Sequence, residues 1–268
     1  MGEYLGETIE SVLANLRPGD EYFVIDGGST DSSLEVIHRY QDRLSGWISA
    51  TDRGYADALA KGFMRSSGKY QCWINCGDLL LSGALDQARS RLEQTGADMI
   101  FGDDLYIDEH GVVLQVTNGY EADLGAMMLY GAWTPLQDAC YWRRSLYDAV
   151  GGIDSSLRFA ADYDLFLRMS QRGDCRYIPV VFSAFRRHRG QTSIANFDGY
   201  ESERNNCRRR ELNRNRDDTI GTLLRGAYYW VKVRWRARVH ARNPDMVHLV
   251  GKAVSRIPCQ AIGSPGPA

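Results

Sequence analysis

Tyr22-Phe23-Val24-Ile25 runs straight into Asp26-Gly27-Gly28-Ser29-Thr30-Asp31, and later Tyr70-Gln71-Cys72-Trp73-Ile74 runs into Asn75-Cys76-Gly77-Asp78. Each stretch reads as a short buried strand that ends in a carboxylate and a glycine turn. In open α/β sheets, ligands bind outside the carboxyl ends of parallel strands. Two acidic turns on one such edge predict a site for a nucleotide and its metal ion.

Working outward, apolar residues return at helical spacing between the strands. Ile9, Val12, Leu13 and Leu16 predict a helix from Tyr4 to about Leu16, stopped by Arg17-Pro18-Gly19-Asp20. Ser32 and Glu35 have capping-box spacing ahead of a stripe at Leu34, Ile37 and Tyr40. Trp47-Ile48-Ser49 reads as a short strand. Ala56, Leu59, Ala60, Phe63 and Met64 predict a third helix, with Gly68 as its C′ residue. A helix across 82–94 and a strand at 98–101 continue the alternation. The rhythm predicts an α/β fold, a mostly parallel sheet with helices on its faces. After residue 103 it changes. Asp108-Glu109-His110-Gly111 reads as a hairpin turn, and Ser145–Val150 and Ala161–Gln171 as helices.

The chain has 268 residues, 44% of them hydrophobic, enough for one sizeable core. Its net charge of −2 argues against a dedicated nucleic-acid binder. The charge is unevenly placed, however. Residues 201–240 carry eleven Lys/Arg against five Asp/Glu, so the first 200 residues form an acidic body and the rest a basic tail. The six cysteines make no C-x-x-C pair, and no His spacing completes a zinc pattern. They read as small buried thiols in a reducing cytosol. No signal-peptide pattern and no apolar run of about 20 residues is found.

Several motifs carry both a plain and a functional reading. Gly62 to Lys69 has the wrong spacing for a phosphate-binding P-loop, and Tyr70 stands where Ser or Thr belongs. Asp26 to Asp31 could be a turn plus helix cap, and Asn75 to Asp78 an ordinary strand-end turn. Their joint occurrence on one sheet edge favours a site. Asp162 and Asp164 fall at a helix start, where the macrodipole favours acids, and capping accounts for only one of them. His188 follows the strand-like run Pro179 to Phe185 and precedes Gly190. A lone His is usually structural or solvated.

In this order and spacing, the four elements resemble the family 2 glycosyltransferases of the GT-A fold over roughly residues 2–194. Asp26 to Asp31 is similar to the family's first acidic turn. Asp52-Arg53-Gly54-Tyr55-Ala56-Asp57-Ala58 resembles a subgroup segment that precedes a helix. Asn75 to Asp78 sits where the family carries its D-x-D-type metal motif. Arg143 to Leu146, Gly151 to Asp154 and Ala161 to Leu165 look like the acceptor-side block.

The resemblance implies an inverting, metal-dependent transfer from a nucleotide-diphosphate sugar to a hydroxyl acceptor. The product would be a surface polysaccharide or related glycoconjugate. Asp162 would be the catalytic base. Asp78 would hold Mg²⁺ or Mn²⁺, with His188 as a second ligand or a diphosphate contact. Asp26, Gly27, Ser29, Asp52, Asp57 and Asn75 would form the nucleotide-sugar site. Two rivals remain open here, a truncated or degenerate non-catalytic remnant and a nucleotidyltransferase.

The pattern departs from the family at three points. Gly27 stands where a second acid is frequent, and Asn75 and Gly77 stand where the metal motif usually has acids. Family members also begin with a buried strand ahead of the first helix. The expectation is therefore that Met1 is an internal methionine of a longer protein and that the first strand is missing. The expected divisions are a catalytic domain at 1–198, a basic helical extension at 199–257 and a disordered tail at 258–268. The extension interleaves Arg with Leu223, Leu224, Tyr228, Tyr229, Trp230, Val233 and Trp235. It reads either as a helix packed on the body or as an interfacial helix on anionic lipid, serving a lipid-linked acceptor. The expected location is cytoplasmic, with a peripheral contact on the inner face of the plasma membrane. No nucleic-acid partner is expected.

Overall fold

A computed structural model describes residues 1–117, 119, 123–129, 131, 134–188, 196–214, 224, 227–228, 231, 249–257 and 259. The first segment is the helix α1 (Gly2–Leu13), followed by strand β1 (Phe23–Asp26), helix α2 (Ser33–Tyr40), strand β2 (Gly46–Ser49) and helix α3 (Tyr55–Arg65). Strands β3 (Tyr70–Gln71) and β4 (Leu79–Leu80), helix α4 (Ala84–Thr95) and strands β5 (Met99–Ile107) and β6 (Val113–Thr117) come next. The chain continues through α5 (Leu124–Leu129), β7 (Cys140–Arg143), α6 (Arg144–Ala149), α7 (Ala161–Ser170), β8 (Cys175–Arg186) and α8 (Phe197–Arg214).

The α/β class expected from the alternation is found, with a mixed pairing. β1 and β2 form a parallel pair of their own. The larger sheet runs β3-β7-β5-β8-β4, with β6 added to β5. Within it β5 and β8 are parallel and the other ladders are antiparallel. The reason lies after residue 103. The Asp108–Gly111 turn folds β6 back on β5, and β7 enters beside β5 from the opposite direction.

Alternation along β5 sends successive side chains to two cores. Met99 and Phe101 join Trp142 of β7 and Leu165, Phe166 and Met169 of α7. Ile100, Leu105 and Ile107 join Ala84, Ala88 and Leu92 of α4, with Val254 and Ile257 beside them. A third, smaller core links Leu5 and Ile9 of α1 to Val24 of β1 and Val36 and Ile37 of α2. Among the described residues the two sheets share no ladder. A cavity of about 480 Å³ lies beside β3 and α4, bordered by Glu21, Gly68, Tyr70, Cys72, Leu92 and Tyr141. Glu21 spans one end of it and accepts hydrogen bonds from the Ser67 amide and hydroxyl and the Gly68 amide.

Local details correct several expectations. Ser32 precedes α2, but its side chain makes no cap. Asp31 accepts from the Ser33 amide instead, so the neighbouring acid does the work. α3 ends at Arg65 with Ser66 extended after it, so Gly68 is not the C′ residue. Only Tyr70 and Gln71 of the run at 70–74 pair as a strand. Within the expected helical extension at 199–257, the described residues include the helix α8 and helical residues at 224, 227, 228 and 231, and most of 215–248 lies outside the described residues. Further along, Ala253 bridges to Val112, and Cys259 is buried with its amide on the Ser82 carbonyl. The rest of the expected 258–268 tail lies outside the described residues.

The β5–β8 ladder is irregular around Gly102, Asp103 and Asp104. A Cβ on Gly102 would meet the Phe182 ring at 2.4 Å and the Val180 carbonyl at 2.5 Å, so only glycine lets β8 approach so closely. Breaking the two-residue period turns two consecutive acids inward, and Asp103 and Asp104 are 2% and 1% exposed. Burial pushes the Asp103 carboxyl up to about 7, against hydrogen bonds from the Gly119 amide at 2.7 Å and the Tyr177 hydroxyl at 2.8 Å.

A raised carboxyl contributes stability that is present at low pH and lost as pH climbs through its folded value. Asp103→Asn keeps an oxygen acceptor for both donors and removes the buried charge. It is expected to stabilise the protein by on the order of 2 kcal/mol at pH 8 and to change little at pH 4. Thermal melts of both proteins at the two pH values check this, and an equal or lower melting temperature at pH 8 would refute it.

Candidate active site

Asp26 ends β1 and Ser49 ends β2, and the parallel register sets the two side by side. The Ser49 hydroxyl donates to the Asp26 carboxylate at 2.6 Å, and the Gly28 and Ser29 amides donate to it at 3.2 and 3.1 Å. Burial would raise this carboxyl, but the donors from Ser29, Ser49 and Gly28 outweigh it and the net shift is downward. Gly28 has φ +87°, as the tight turn requires. Gly27 lies flat against Asp52, whose Oδ2 would stand 2.5 Å from a Cβ there. Thus the structure brings Asp26, Gly27, Ser29 and Asp52 to one edge. Asp52 also accepts from the Gly54 amide.

Asp57 lies on the first turn of α3. Hydrogen bonds from Arg53 and Lys61 hold its carboxyl down at about 2, and both cations sit 3.0 Å away. As seen, Asp57 is committed to its own helix.

The second acidic turn is built differently from the first. The Thr8 hydroxyl accepts from the Gly77 amide at 3.0 Å and donates to the Asp78 carbonyl at 2.9 Å, which fastens the turn to α1. Asp78 is only 4% exposed. Its Oδ1 accepts the Arg186 amide at 3.0 Å, and the Asn75 side chain hydrogen-bonds the carboxyl as well. Burial, then the charge of nearby Asp138, pushes the Asp78 carboxyl well above its ordinary value.

Arg186 itself is 1% exposed. It donates to the Gly77, Asp108 and Glu109 carbonyls and pairs with Glu7 of α1 at 2.5 Å. The Tyr4 ring lies 4.6 Å from its guanidinium carbon. His188 follows two residues later, with its ring 6.0 Å from that of Tyr4.

Asp162 opens α7 and is half-buried, its carboxyl enclosed by protein. Burial pushes it up to about 6, against hydrogen bonds from the Tyr163 and Asp162 amides. It lies beside Tyr55, whose hydroxyl accepts the Trp73 indole N–H at 3.1 Å. Burial, then the negative charge of Asp162 and, further down the order, that of Asp78, raises the Tyr55 hydroxyl. One hydroxyl therefore feels both acids. Tyr200 of α8 also faces Asp162. The Tyr55 hydroxyl, held by Trp73, thus lies within electrostatic reach of both Asp162 and the Asn75–Asp78 turn.

Tyr55, Trp73 and Tyr200 were missed in the sequence reading. Trp73 stood in plain view, two residues before Asn75 and so on the same side of an extended chain. Tyr200 carried no signal, because its contact depends on how α8 packs.

Of the expected metal ligands, Asp78 and His188, Asp78 already accepts the Arg186 amide. Among the described residues no group of three His, Cys, Asp or Glu side chains gathers at metal-binding distance. The Asp78 carboxyl is buried, raised and already engaged.

The family model described as Glycosyl transferase family 2 matches residues 2–142. A PGL/p-HBAD biosynthesis glycosyltransferase of Mycobacterium bovis (strain BCG / Pasteur 1173P2) is 25% identical over 184 residues, 65% of this chain and 68% of that protein. An uncharacterized glycosyltransferase, RP339, of Rickettsia prowazekii (strain Madrid E) is 23% identical over 198 residues, 71% of this chain and 62% of that one. Among solved structures, S. aureus TarS aligns with a TM-score of 0.55 at 14% identity, over 69% of this chain and 34% of TarS. Its 1–349 fragment in complex with UDP-GlcNAc aligns with a TM-score of 0.52 at 14% identity, over 70% of this chain and 56% of that one. These likenesses at low identity establish the fold.

Replacing Arg186 by Met keeps its backbone amide on Asp78 but removes the guanidinium, so the Gly77, Asp108 and Glu109 carbonyls and Glu7 lose their donor. Arg186→Met is expected to cost about 3 kcal/mol or more. Urea unfolding measures it, and a loss under about 1 kcal/mol would show that the turn does not depend on this group.

Proposed function

The chain belongs to glycosyl transferase family 2, and from that premise we propose that it transfers a sugar from a nucleotide-diphosphate sugar to a hydroxyl acceptor with inversion. The acceptor oxygen bonds to the anomeric carbon from the side opposite the diphosphate. The bond from that carbon to the diphosphate oxygen breaks and its electron pair leaves with the diphosphate. The acceptor proton passes to the Asp162 carboxylate. Asp26, Gly27, Ser29 and Asp52 line the nucleoside end, and Asn75 and His188 lie toward the diphosphate. Asp57 supports the start of α3 next to Tyr55.

The observation that carries this reading is Asp162. Its carboxyl is raised to about 6 by burial, within electrostatic reach of the Tyr55 and Tyr200 hydroxyls. A raised acid is a stronger base once ionised, and aromatic faces suit the apolar side of a sugar ring. TarS has been solved with UDP and with UDP-GlcNAc, so UDP-sugars are the first donors to try.

Asp162→Asn is expected to lower turnover by about 10²–10⁴-fold while leaving donor binding intact. In the parent protein, activity should fall as pH drops through about 6, where Asp162 takes up its proton. Undiminished turnover in the variant would remove the base assignment. A donor-hydrolysis screen over nucleotide sugars separates the enzyme from a non-catalytic remnant.

The product is proposed to be a surface polysaccharide or glycoconjugate, made at the cytoplasmic face of a membrane. Support comes from the basic tail. Leu224, Ala227, Tyr228 and Val231 are helical and exposed, at the i, i+3, i+4, i+7 spacing of a single helix face. Arg and Lys surround them in the sequence, as suits anionic lipid. Among the described residues no helix is long and apolar enough to cross a membrane. The protein is expected to float with vesicles containing phosphatidylglycerol, and Leu224→Glu with Val231→Glu should abolish flotation. Equal flotation with neutral vesicles, or in the double variant, would refute the lipid contact.

A further inference from the structure

The N-cap of α7 is Ala160, which has no side-chain acceptor to offer the helix that carries Asp162. The acceptor comes from α8. Glu203 takes hydrogen bonds from three consecutive amides, Arg158 at 3.0 Å, Phe159 at 2.8 Å and Ala160 at 3.0 Å. One helical turn earlier stands Gly199. A Cβ there would meet the Phe159 ring at 2.7 Å, so the missing side chain makes room for that ring. Residues i and i+4 share a helix face. Gly199 and Glu203 thus grip the same turn, two residues ahead of Asp162.

The helix that supplies the grip is itself anchored further along its length. Arg210 pairs with Asp164, which also binds Arg168. Arg208 donates to the Leu129 carbonyl at 3.0 Å, and Cys207 is buried in the core.

We infer that Gly199 and Glu203 are positioning residues, a clamp by which α8 fixes the 158–160 turn and so sets the place of the Asp162 carboxylate. The inference rests on Asp162 being the base and goes beyond it, because neither clamp residue touches a substrate. The physics has two parts. Three amides lost from one acceptor would let the turn move, and misplacement of a reacting group by about 1 Å can cost 10²-fold in rate. In addition, the Glu203 carboxylate offsets the positive end of α7. Without it, both the helix dipole and water entering a loosened turn would favour the ionised form of Asp162.

The other groups that face Asp162 leave that charge effect uncovered. They are Tyr55 from α3, Cys140 from β7 and Tyr200 from α8. Burial raises the pKa of all three, so they stay neutral near pH 7. On α7 itself Tyr163 is raised too, and Asp164 is paired with two arginines.

The test follows the Asp162 carboxyl by carbon-13 NMR titration of the whole chain, with Asp162→Asn used for assignment. In the parent protein the midpoint should lie near 6. In Glu203→Ala and Glu203→Gln it should move down by about half a unit or more. With any nucleotide sugar that the parent turns over, kcat should fall about ten- to a hundredfold while the donor KM stays within about twofold.

An unmoved Asp162 midpoint in a folded Glu203→Gln protein would overturn the clamp, whatever its melting temperature. Should Glu203→Ala fail to fold, Glu203→Gln decides. If the parent turns over no nucleotide sugar, the transferase reading is what fails, and the titration still decides whether Glu203 holds Asp162.

Discussion

The Arg186 guanidinium, almost wholly buried at the end of β8, meets groups from three other parts of the chain. It reaches Glu7 of α1, the Gly77 carbonyl of the second acidic turn, and the Asp108 and Glu109 carbonyls of the hairpin. Among the described residues no ladder joins the two sheets, so helices link them: α3 packs on β1 and reaches the core of the larger sheet through Phe63, and α1 sets one apolar face on β1 and α2 and polar side chains on the 75–78 turn. A buried guanidinium is tolerable only when its donors are satisfied. Here the acceptors are mostly backbone carbonyls, whose positions are set by the fold itself. The charge and the fold therefore require each other. If α1 shifts, Arg186 loses Glu7 and Gly77 loses Thr8. If the hairpin shifts, two carbonyls lose their donor.

Much of the architecture was legible because it depends on short-range pattern. β1, β2 and α3 fall close to where alternation and helical spacing predict them. Strand direction was not legible in the same way. Whether β7 lies parallel or antiparallel to β5 depends on a partner roughly forty residues away, and local periodicity carries no record of it. The capping box failed for a related reason. Ser32 has the right neighbours in sequence, yet Asp31 reaches the free amide first.

The candidate site divides along the same line. Asp162 could be placed from its helix start and Asp26 from its strand end. Asp78 looked like an open turn residue, because nothing nearby in the sequence says that the Arg186 backbone closes over it. Its burial belongs to the packing of β8. The aromatic neighbours and the Glu203 clamp were hidden likewise, since each is made by elements that meet only in the folded chain. The tail expected to be an appendage begins with α8, which packs against α5 and α7.

The β5–β8 pairing also has a consequence for synthesis. β5 is the central strand, buried on both faces, and its parallel neighbour is not complete until Arg186. A ribosome adding about 5–20 residues per second needs several seconds to make the intervening stretch. Through that interval Met99-Ile100-Phe101 has left the ribosome without the strand that covers one of its edges. The turn that brings in β6 protects only the far end, from Asp104 onward. The nascent chain thus offers one sticky strand to its neighbours on a crowded polysome. Its yield in a cell should therefore depend on chaperones that hold short apolar segments, more than the stability of the finished protein would suggest.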